Sequence, residues 1–299
     1  MEKIKIIYNP TSGSQSNKRA IETMSNDLLN EGYILKRTAT TGKDSAFNET
    51  LKASEEGFDI VIACGGDGTV NEVINALAKV NSTMKLGVFP IGTVNDFASY
   101  IEITDSPKEL VELIVKGTTK KIDVGLAGEK YFVNVAAGGK LADVGHETDK
   151  NLKAIFGRLA YVAEGIKVIP DIIANDFRLK YKFDGETYED DVYLFLVANS
   201  SSIGGFKNLA PDASISDGFL DVLIIKNPNK LVDLAQLFIQ VLSGEHVKNE
   251  DVTYFQTKEV EFESASPITI DVDGEYAGEL PMKIKVSDYR VNVFTNIKE

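Results

Sequence analysis

The sequence predicts an open α/β domain at the N-terminus followed by an antiparallel, mostly β domain. Three observations predict this. From Ile4 to Asp96 short β-branched runs alternate with segments of helical period, the pattern of a parallel sheet with crossover helices. Beyond Ile122-Asp123-Val124-Gly125, strand-like runs follow one another with turn residues between them. The 299 residues are also long for a single hydrophobic core. The division falls at 1–125 and 126–287. No long Pro- or Ser-rich linker separates the two, so a tight hinge and a cleft between the domains are expected.

In the first domain, Ile4–Tyr8 reads as a strand, Asn17–Glu31 as a helix, Tyr33–Thr38 as a strand and Asp44–Glu56 as a helix. Asp59–Cys64 leads through a glycine-rich turn into a helix ending near Ala78. Leu86–Phe89 is a fourth strand, and Asp96 is placed either to cap a short helix, Phe97–Tyr100, or to contact a nucleotide or substrate directly. In the second domain, Tyr131–Ala136, Phe177–Phe183, Val192–Asn199, Leu220–Lys226, Val252–Phe262, Ile268–Val272 and Lys283–Val286 read as strands. Two helices interrupt them, near Leu152–Val168 and Leu231–Leu242. The apolar stripe of the first, from Leu152 to Val162, reads as core.

Composition narrows the function. A formal net charge of −13 argues against nucleic acid as a partner, because phosphate backbones are bound mainly by Lys and Arg. No polybasic cluster supports permanent attachment to an anionic membrane. Lys150, Lys153, Arg158 and Lys167 form a basic stretch broken only by Glu164, a solvated helix face that leaves room for a brief membrane visit. No apolar run approaches the roughly 18 residues of a transmembrane helix, and no signal segment opens the chain. The lone Cys64 rules out an internal disulfide framework, which suits a reducing cytoplasm, and reads as a small buried strand residue. His146 and His246 have no metal-ligand spacing, and no Ser/His/Asp or Cys/His arrangement is present.

The chemistry concentrates in loops that follow strands. Gly65, Gly66 and Gly68 surround the carboxylate of Asp67, between a strand and a helix that opens on Thr69, Asn71 and Glu72. Thr69 and Glu72 have capping-box spacing. Strand, glycine turn and helix N-terminus make an anion cradle, and an acid inside it suits a phosphate carried by Mg²⁺. The pattern is neither a Walker A loop, lacking Gly-Lys-Ser/Thr, nor a dinucleotide fingerprint. The loop Asn9-Pro10-Thr11-Ser12-Gly13 and the loop Gly92-Thr93-Val94-Asn95-Asp96 should converge with it on the carboxyl rim of the sheet. In the second domain, Pro211-Asp212-Ala213-Ser214-Ile215-Ser216-Asp217-Gly218-Phe219 could enclose a hard cation, although from spacing alone it is an ordinary Asp-Gly turn. Asp273-Gly274, flanked by strand residues, signals a type I′ hairpin with Asp273 and Glu275 at its tip.

Taken in order, N-P-T-S-G at Asn9, G-G-D-G-T-V-N-E at Gly65, G-T-V-N-D at Gly92, N-V-A-A-G-G at Asn134, P-D-A-x-x-x-D-G at Pro211 and D-G-E at Asp273 resemble the bacterial diacylglycerol kinase and YegS-type lipid kinase family over nearly the whole chain. The resemblance implies an NAD kinase-like nucleotide domain and a β-sandwich-like second domain, with residues 288–299 returning to the first. It implies ATP held by Asn9, Pro10, Thr11, Ser12, Gly13, Thr40, Gly65, Gly66, Asp67, Gly68, Thr69, Asn71, Glu72 and Thr93. It further implies catalysis by Asp67 through Mg²⁺ and by Glu275 as general base. A structural Mg²⁺ would sit on the Asp217 carboxylate and the Ser214 and Phe219 carbonyls.

The implied reaction moves the γ-phosphate of ATP to a lipid hydroxyl, first of all diacylglycerol. The enzyme would be cytoplasmic, meeting its lipid at the inner membrane face, and a homodimer is compatible with it. The alternatives are an NAD kinase-like enzyme and a nucleotide-binding regulator without turnover. Two positions depart from the family pattern: Ser14 and Glu164 stand where lysines are expected, while Asp123, the acid those lysines address, is kept.

Overall fold

The computed structural model describes residues 1–10, 15–139, 177–201, 208–227 and 243–297, together with positions 233, 237, 240 and 241. Thr11, Ser12, Gly13 and Ser14, His146, the 152–168 helix with its basic residues and Glu164, and most of the 231–242 helix lie outside the described residues. The chain divides into two compact units, residues 1–124 with 288–299, and residues 125–287.

The first unit is built on parallel strands β1 (Lys3–Tyr8), β2 (Ile34–Ala39), β3 (Ile60–Gly65) and β4 (Lys85–Pro90). Their order is β4-β3-β1-β2, and β4 also takes the C-terminal end of β15 (Met282–Phe294) through Asn292 and Val293. All six residues of β3 are buried, as a central parallel strand covered on both faces requires. The crossover helices are α1 (Gln15–Asn30), α2 (Ser45–Glu55) and α3 (Asp67–Lys79), and further along come α4 (Asp96–Tyr100) and α5 (Pro107–Lys116). Helix α1 buries Ile21, Met24, Ser25 and Leu28, one stripe at i, i+3, i+4 and i+7. Helices α2 and α3 pack together, as do α1 and α5.

Helix α5 is absent from the sequence-based reading, although its signals are local. Ser106 caps it by accepting the Glu109 N–H, Pro107 opens it, and Gly117 ends it in the left-handed region at φ 67°. The returning segment is fixed within this unit. Thr295 Oγ1 donates to the Ile101 carbonyl at 2.6 Å and Tyr289 Oη to the Ser82 carbonyl at 3.1 Å.

The second unit is antiparallel. Strands β7 (Val135–Gly138), β8 (Phe177–Phe183), β9 (Glu186–Ala198), β10 (Leu220–Lys226), β11 (Val252–Thr257), β12 (Glu259–Ser264), β13 (Thr269–Val272) and β14 (Glu275–Glu279) run in the order β14-β13-β7-β9-β8-β12, with β10 and β11 branching from β9. The β12 strand pairs with the first residues of β15. Val252–Phe262, expected as one strand, is two, broken at Lys258. Tyr131–Ala136 likewise divides into β6 (Lys130–Phe132), which pairs with β5 (Thr119–Ala127), and β7. The core gathers Phe132, Phe195, Phe262, Ile270 and Val272, with the rings of Phe195 and Phe262 stacked at 4.2 Å.

One charged pair lies inside the first unit. Lys5 on β1 is 0% exposed, and its ammonium donates to Glu49 on α2 at 2.7 Å, where Lys52 arrives as well. Hydrogen bonds from Lys5 and then Lys52 lower the Glu49 pKa from an ordinary 4.5 to about 2. The depressed value means that the stability Glu49 contributes is present above its unfolded pKa and lost as pH falls toward the folded one. Glu49→Gln should cost about 3 kcal/mol near neutrality, because it strands a buried ammonium. In thermal melts the Tm gap between wild type and E49Q should narrow steadily below about pH 4.5; a gap independent of pH would show that ionisation of the pair adds nothing.

Candidate active site

Strand β1 connects through α1 to β2 on one side, and β2 returns through α2 to β3 on the other. The direction of winding reverses between β1 and β3, and open α/β sheets bind ligands at the carboxyl ends of such a pair. Asn9 and Pro10 follow β1 here, and Gly65 ends β3 ahead of Gly66 and Asp67. Backbone bonds tie the rim: Asn9 N donates to Cys64 O at 3.0 Å, Thr40 N to Tyr8 O at 2.9 Å, and Ile91 N to Gly65 O at 3.1 Å. The rim therefore assembles Asn9, Pro10, Thr40, the glycine loop and the Gly92 loop.

Three glycines of the rim differ in their reasons. At Gly92 an added Cβ would lie 2.4 Å from the Gly66 Cα, so the two loops touch backbone to backbone. At Gly65 it would strike the Thr69 side chain at 2.3 Å. At Gly68, in the first turn of α3, it would meet nothing within 4 Å among the described residues, and the backbone is not left-handed. Neither packing nor dihedral requires glycine there, and an unneeded glycine disfavours a helix by roughly 0.5–1 kcal/mol. What Gly68 leaves is open approach to the N–H groups at the start of α3, which fits a phosphate-bearing ligand.

The side chains around this opening are held by one another. Asp67 Oδ1 accepts the Phe97 N–H at 3.2 Å and so caps α4. The residue in the cap position, Asn95 (φ 56°), folds back instead to exchange two 3.0 Å hydrogen bonds with Gly92. This corrects the expected cap: Asp96 is the first residue of α4, and the capping carboxylate comes from α3.

The capping box also needs correction. Helix α3 begins at Asp67 with Gly66 as its N-cap, and Glu72 reaches α2 instead. Its Oε1 accepts Asp44 N at 3.0 Å, and its Oε2 accepts Ala46 N at 2.8 Å and Phe47 N at 3.2 Å. Glu72 thus holds the start of α2 and the segment following Thr40. Asn71 is buried, and its Oδ1 accepts from Asn75 Nδ2 at 2.8 Å. Thr69 covers Gly65, and Thr93 is exposed on its loop.

Asp123, buried on β5, is met by an arginine that sequence reasoning missed: Arg290 Nε lies 2.6 Å from Asp123 Oδ1, within the first unit. Arg290 is distant in sequence and belongs to none of the motifs. Cys64 is buried and burial pushes its thiol pKa up, as a structural residue requires. His246 is buried too, with its Nε2 2.9 Å from the Leu209 carbonyl, and burial lowers its pKa.

In the second unit, Asp217 is exposed and its Oδ1 accepts Phe219 N at 2.9 Å, closing the turn through Gly218 at φ 79°. Asp221, buried behind it on β10, is bonded by Tyr254 and Gln256. Its pKa is raised by burial first, with Asp217 and Asp212 adding. One carboxylate with neighbouring carbonyls is a donor set for a hard cation, which would offset this negative field. Among the described residues no cluster of three or more His, Cys, Asp or Glu is arranged to hold a metal.

The expected hairpin is present. Val272 pairs with Glu275 across Asp273 (φ 49°) and Gly274 (φ 90°), the left-handed pair of a type I′ turn. Glu275 is partly exposed, with its Oε2 3.9 Å from Lys130 Nζ. Among the described residues no helix is long and apolar enough to cross a membrane.

The glycines give a direct check. Gly92→Ala should lower stability by about 1–3 kcal/mol through backbone overpacking, whereas Gly68→Ala should leave the Tm unchanged or slightly raised. A marked destabilisation by Gly68→Ala would mean that the opening serves packing after all.

The diacylglycerol kinase catalytic domain matches residues 3–127, and the YegS C-terminal NAD kinase β-sandwich-like domain matches residues 134–295. A diacylglycerol kinase of Staphylococcus aureus (strain bovine RF122 / ET3-1) is 36% identical over 293 residues, which cover 98% of this chain and 92% of that protein. One of Staphylococcus epidermidis (strain ATCC 12228 / FDA PCI 1200) is 37% identical over 294 residues, with the same coverage of both. A crystal structure of a diacylglycerol kinase from Bacillus anthracis str. Sterne is 25% identical, with a TM-score of 0.78 over 99% of this chain and 97% of that one. Both domain types match in sequence order and the relatives align over nearly their full length, so this chain belongs to the diacylglycerol kinase family.

Proposed function

We propose that this protein phosphorylates a lipid hydroxyl at the expense of ATP, with diacylglycerol as the acceptor and phosphatidic acid as the product. The observation that carries the reading is Gly68: a helix-opening glycine, required by neither packing nor dihedral, beside Asp67 at the winding reversal of the sheet. The triphosphate would lie over the first turn of α3, between the Asn9 and Gly92 loops. Asp67 would hold a Mg²⁺ ion, whose contribution is to offset charge on the phosphates. Thr40 and Thr93 would line the nucleotide, and Glu72 would serve it by fixing the segment after Thr40. The relatives' names carry the acceptor class, and the D-G-E hairpin carries the base.

Glu275 would accept the proton of the attacking hydroxyl, so that oxygen meets the γ-phosphorus as an incipient alkoxide and ADP leaves. Its partial exposure keeps the carboxylate reachable by an acceptor. The Asp217 loop, with the Ser214 and Phe219 carbonyls, would hold a structural Mg²⁺. The protein would work in the cytoplasm, touching the inner membrane face only to reach its lipid.

The test offers labelled ATP and Mg²⁺ to the purified protein with diacylglycerol, sphingoid bases and NAD in parallel. Labelled phosphatidic acid is expected; labelled NADP would transfer the assignment to NAD phosphorylation, and binding of ATP without any product would leave a regulator. Glu275→Gln should lower turnover by roughly two to four orders of magnitude with ATP affinity nearly unchanged. Equal loss of both would make Glu275 structural. Asp67→Asn, which keeps an oxygen for the Phe97 N–H, should fold normally and lose Mg²⁺-dependent turnover; near-normal activity would remove Asp67 from the site.

A further inference from the structure

The D-G-E hairpin carries a second carboxylate beside the proposed base. Asp273 is turned away from its own turn and seated on another segment: Oδ2 accepts Val133 N at 2.9 Å, and Oδ1 accepts Asn134 N at 3.1 Å and Val135 N at 2.9 Å. The Asp273 N–H completes the contact by donating to Val135 O at 3.0 Å. A carboxylate on three successive backbone donors is a charge-assisted, directionally fixed attachment.

We propose that Asp273 is a positioning residue for Glu275, fixing the hairpin tip and with it the direction of the base. The turn itself does not need this carboxylate. A type I′ turn forms equally from Asn-Gly or Gly-Gly, and here Asp271 Oδ1 already closes it by accepting Gly274 N at 2.8 Å. The platform beneath Asp273 is itself held by buried hydrogen bonds. Asn199 Nδ2 donates to Val133 O at 3.0 Å, Asn199 N donates to Asn134 O at 2.8 Å, and Ser200 Oγ donates to Asn134 Oδ1 at 3.3 Å. Asn134, Asn199 and Ser200 are all buried.

Among the described residues Glu275 has no comparable fixation of its own. It opens β14, whose one strand partner among the described residues is β13, and its ionic neighbour among them, Lys130, is 3.9 Å away. Proton transfer demands hydrogen-bond reach in the reacting geometry. The three bonds of Asp273, two positions before Glu275, provide that precision from a buried platform.

The inference rests on Glu275 being the base, and the experiment separates the two. Steady-state kinetics, ATP affinity and thermal melts are measured for D273N, D273G, E275Q and the double variant D273G/E275Q. Both Asn and Gly accept the left-handed conformation, so the turn survives. D273G should lower kcat by about tenfold or more with KM for ATP little changed. D273N, which keeps Oδ1 for Asn134 N and Val135 N, should lose less. Because Asp273 acts through Glu275, D273G/E275Q should be no slower than E275Q alone.

If E275Q keeps full turnover, the base assignment fails and this inference with it. If E275Q is slow while D273G retains wild-type kcat, or D273G costs the same factor in both backgrounds, the positioning role alone is overturned. A D273G kcat loss that tracks a collapsed Tm, with D273N folded and fully active, overturns it as well.

Discussion

Where Gly66 and Gly92 face each other, two backbones pass so closely that not even a methyl group fits between them. The rim of the first unit depends on this approach. It lets the loop after β4 lean on the loop after β3, brings the start of α4 within reach of Asp67, and leaves Asn95 to brace its own loop at Gly92. Asp67 therefore enters the site already oriented by a backbone N–H. The carboxylate proposed to hold a metal is part of the scaffold, and preorganisation of this kind avoids rearrangement when charge arrives.

A second theme is capping at a distance. Helices α2 and α4 both lack a side-chain bond from their own N-cap residue. Each receives a carboxylate from α3: Glu72 for α2 and Asp67 for α4. One helix thus organises the openings of two others, and the G-G-D-G-T-V-N-E motif is as much a device for joining the rim as for touching a ligand. In the second unit Asp273 does comparable work on the segment between β6 and β7, and it coincides with the interruption that splits those strands.

These long-range bonds mark the limit of what the sequence discloses. Strands such as Phe177–Phe183 and Leu220–Lys226 were legible to the residue, because alternation and β-branching are local properties. The type I′ turn at Asp273-Gly274 was legible for the same reason. Helix α5 was equally local and was overlooked despite Ser106, Pro107 and Gly117. By contrast, the spacing of Thr69 and Glu72 matched a capping box while the real recipient of Glu72 lay 25 to 28 residues away. Arg290 on Asp123 could not be foreseen, since nothing in the local pattern of β15 announces a buried acid far upstream. The division of labour among Gly65, Gly68 and Gly92 is likewise a property of the fold, because three glycines look alike in a sequence and only their surroundings distinguish them.

The pairing of Asn292 and Val293 with β4 has a consequence for the ribosome. Strand β4 emerges early, followed by the entire second unit, and only then the strand that covers its open side. During that interval the growing chain displays an unpaired parallel edge at Lys85 and Leu86, the kind of template on which nascent chains associate. The first unit begins before the second and is completed after it, so any arrest upstream of Asn292 releases a chain with that edge exposed.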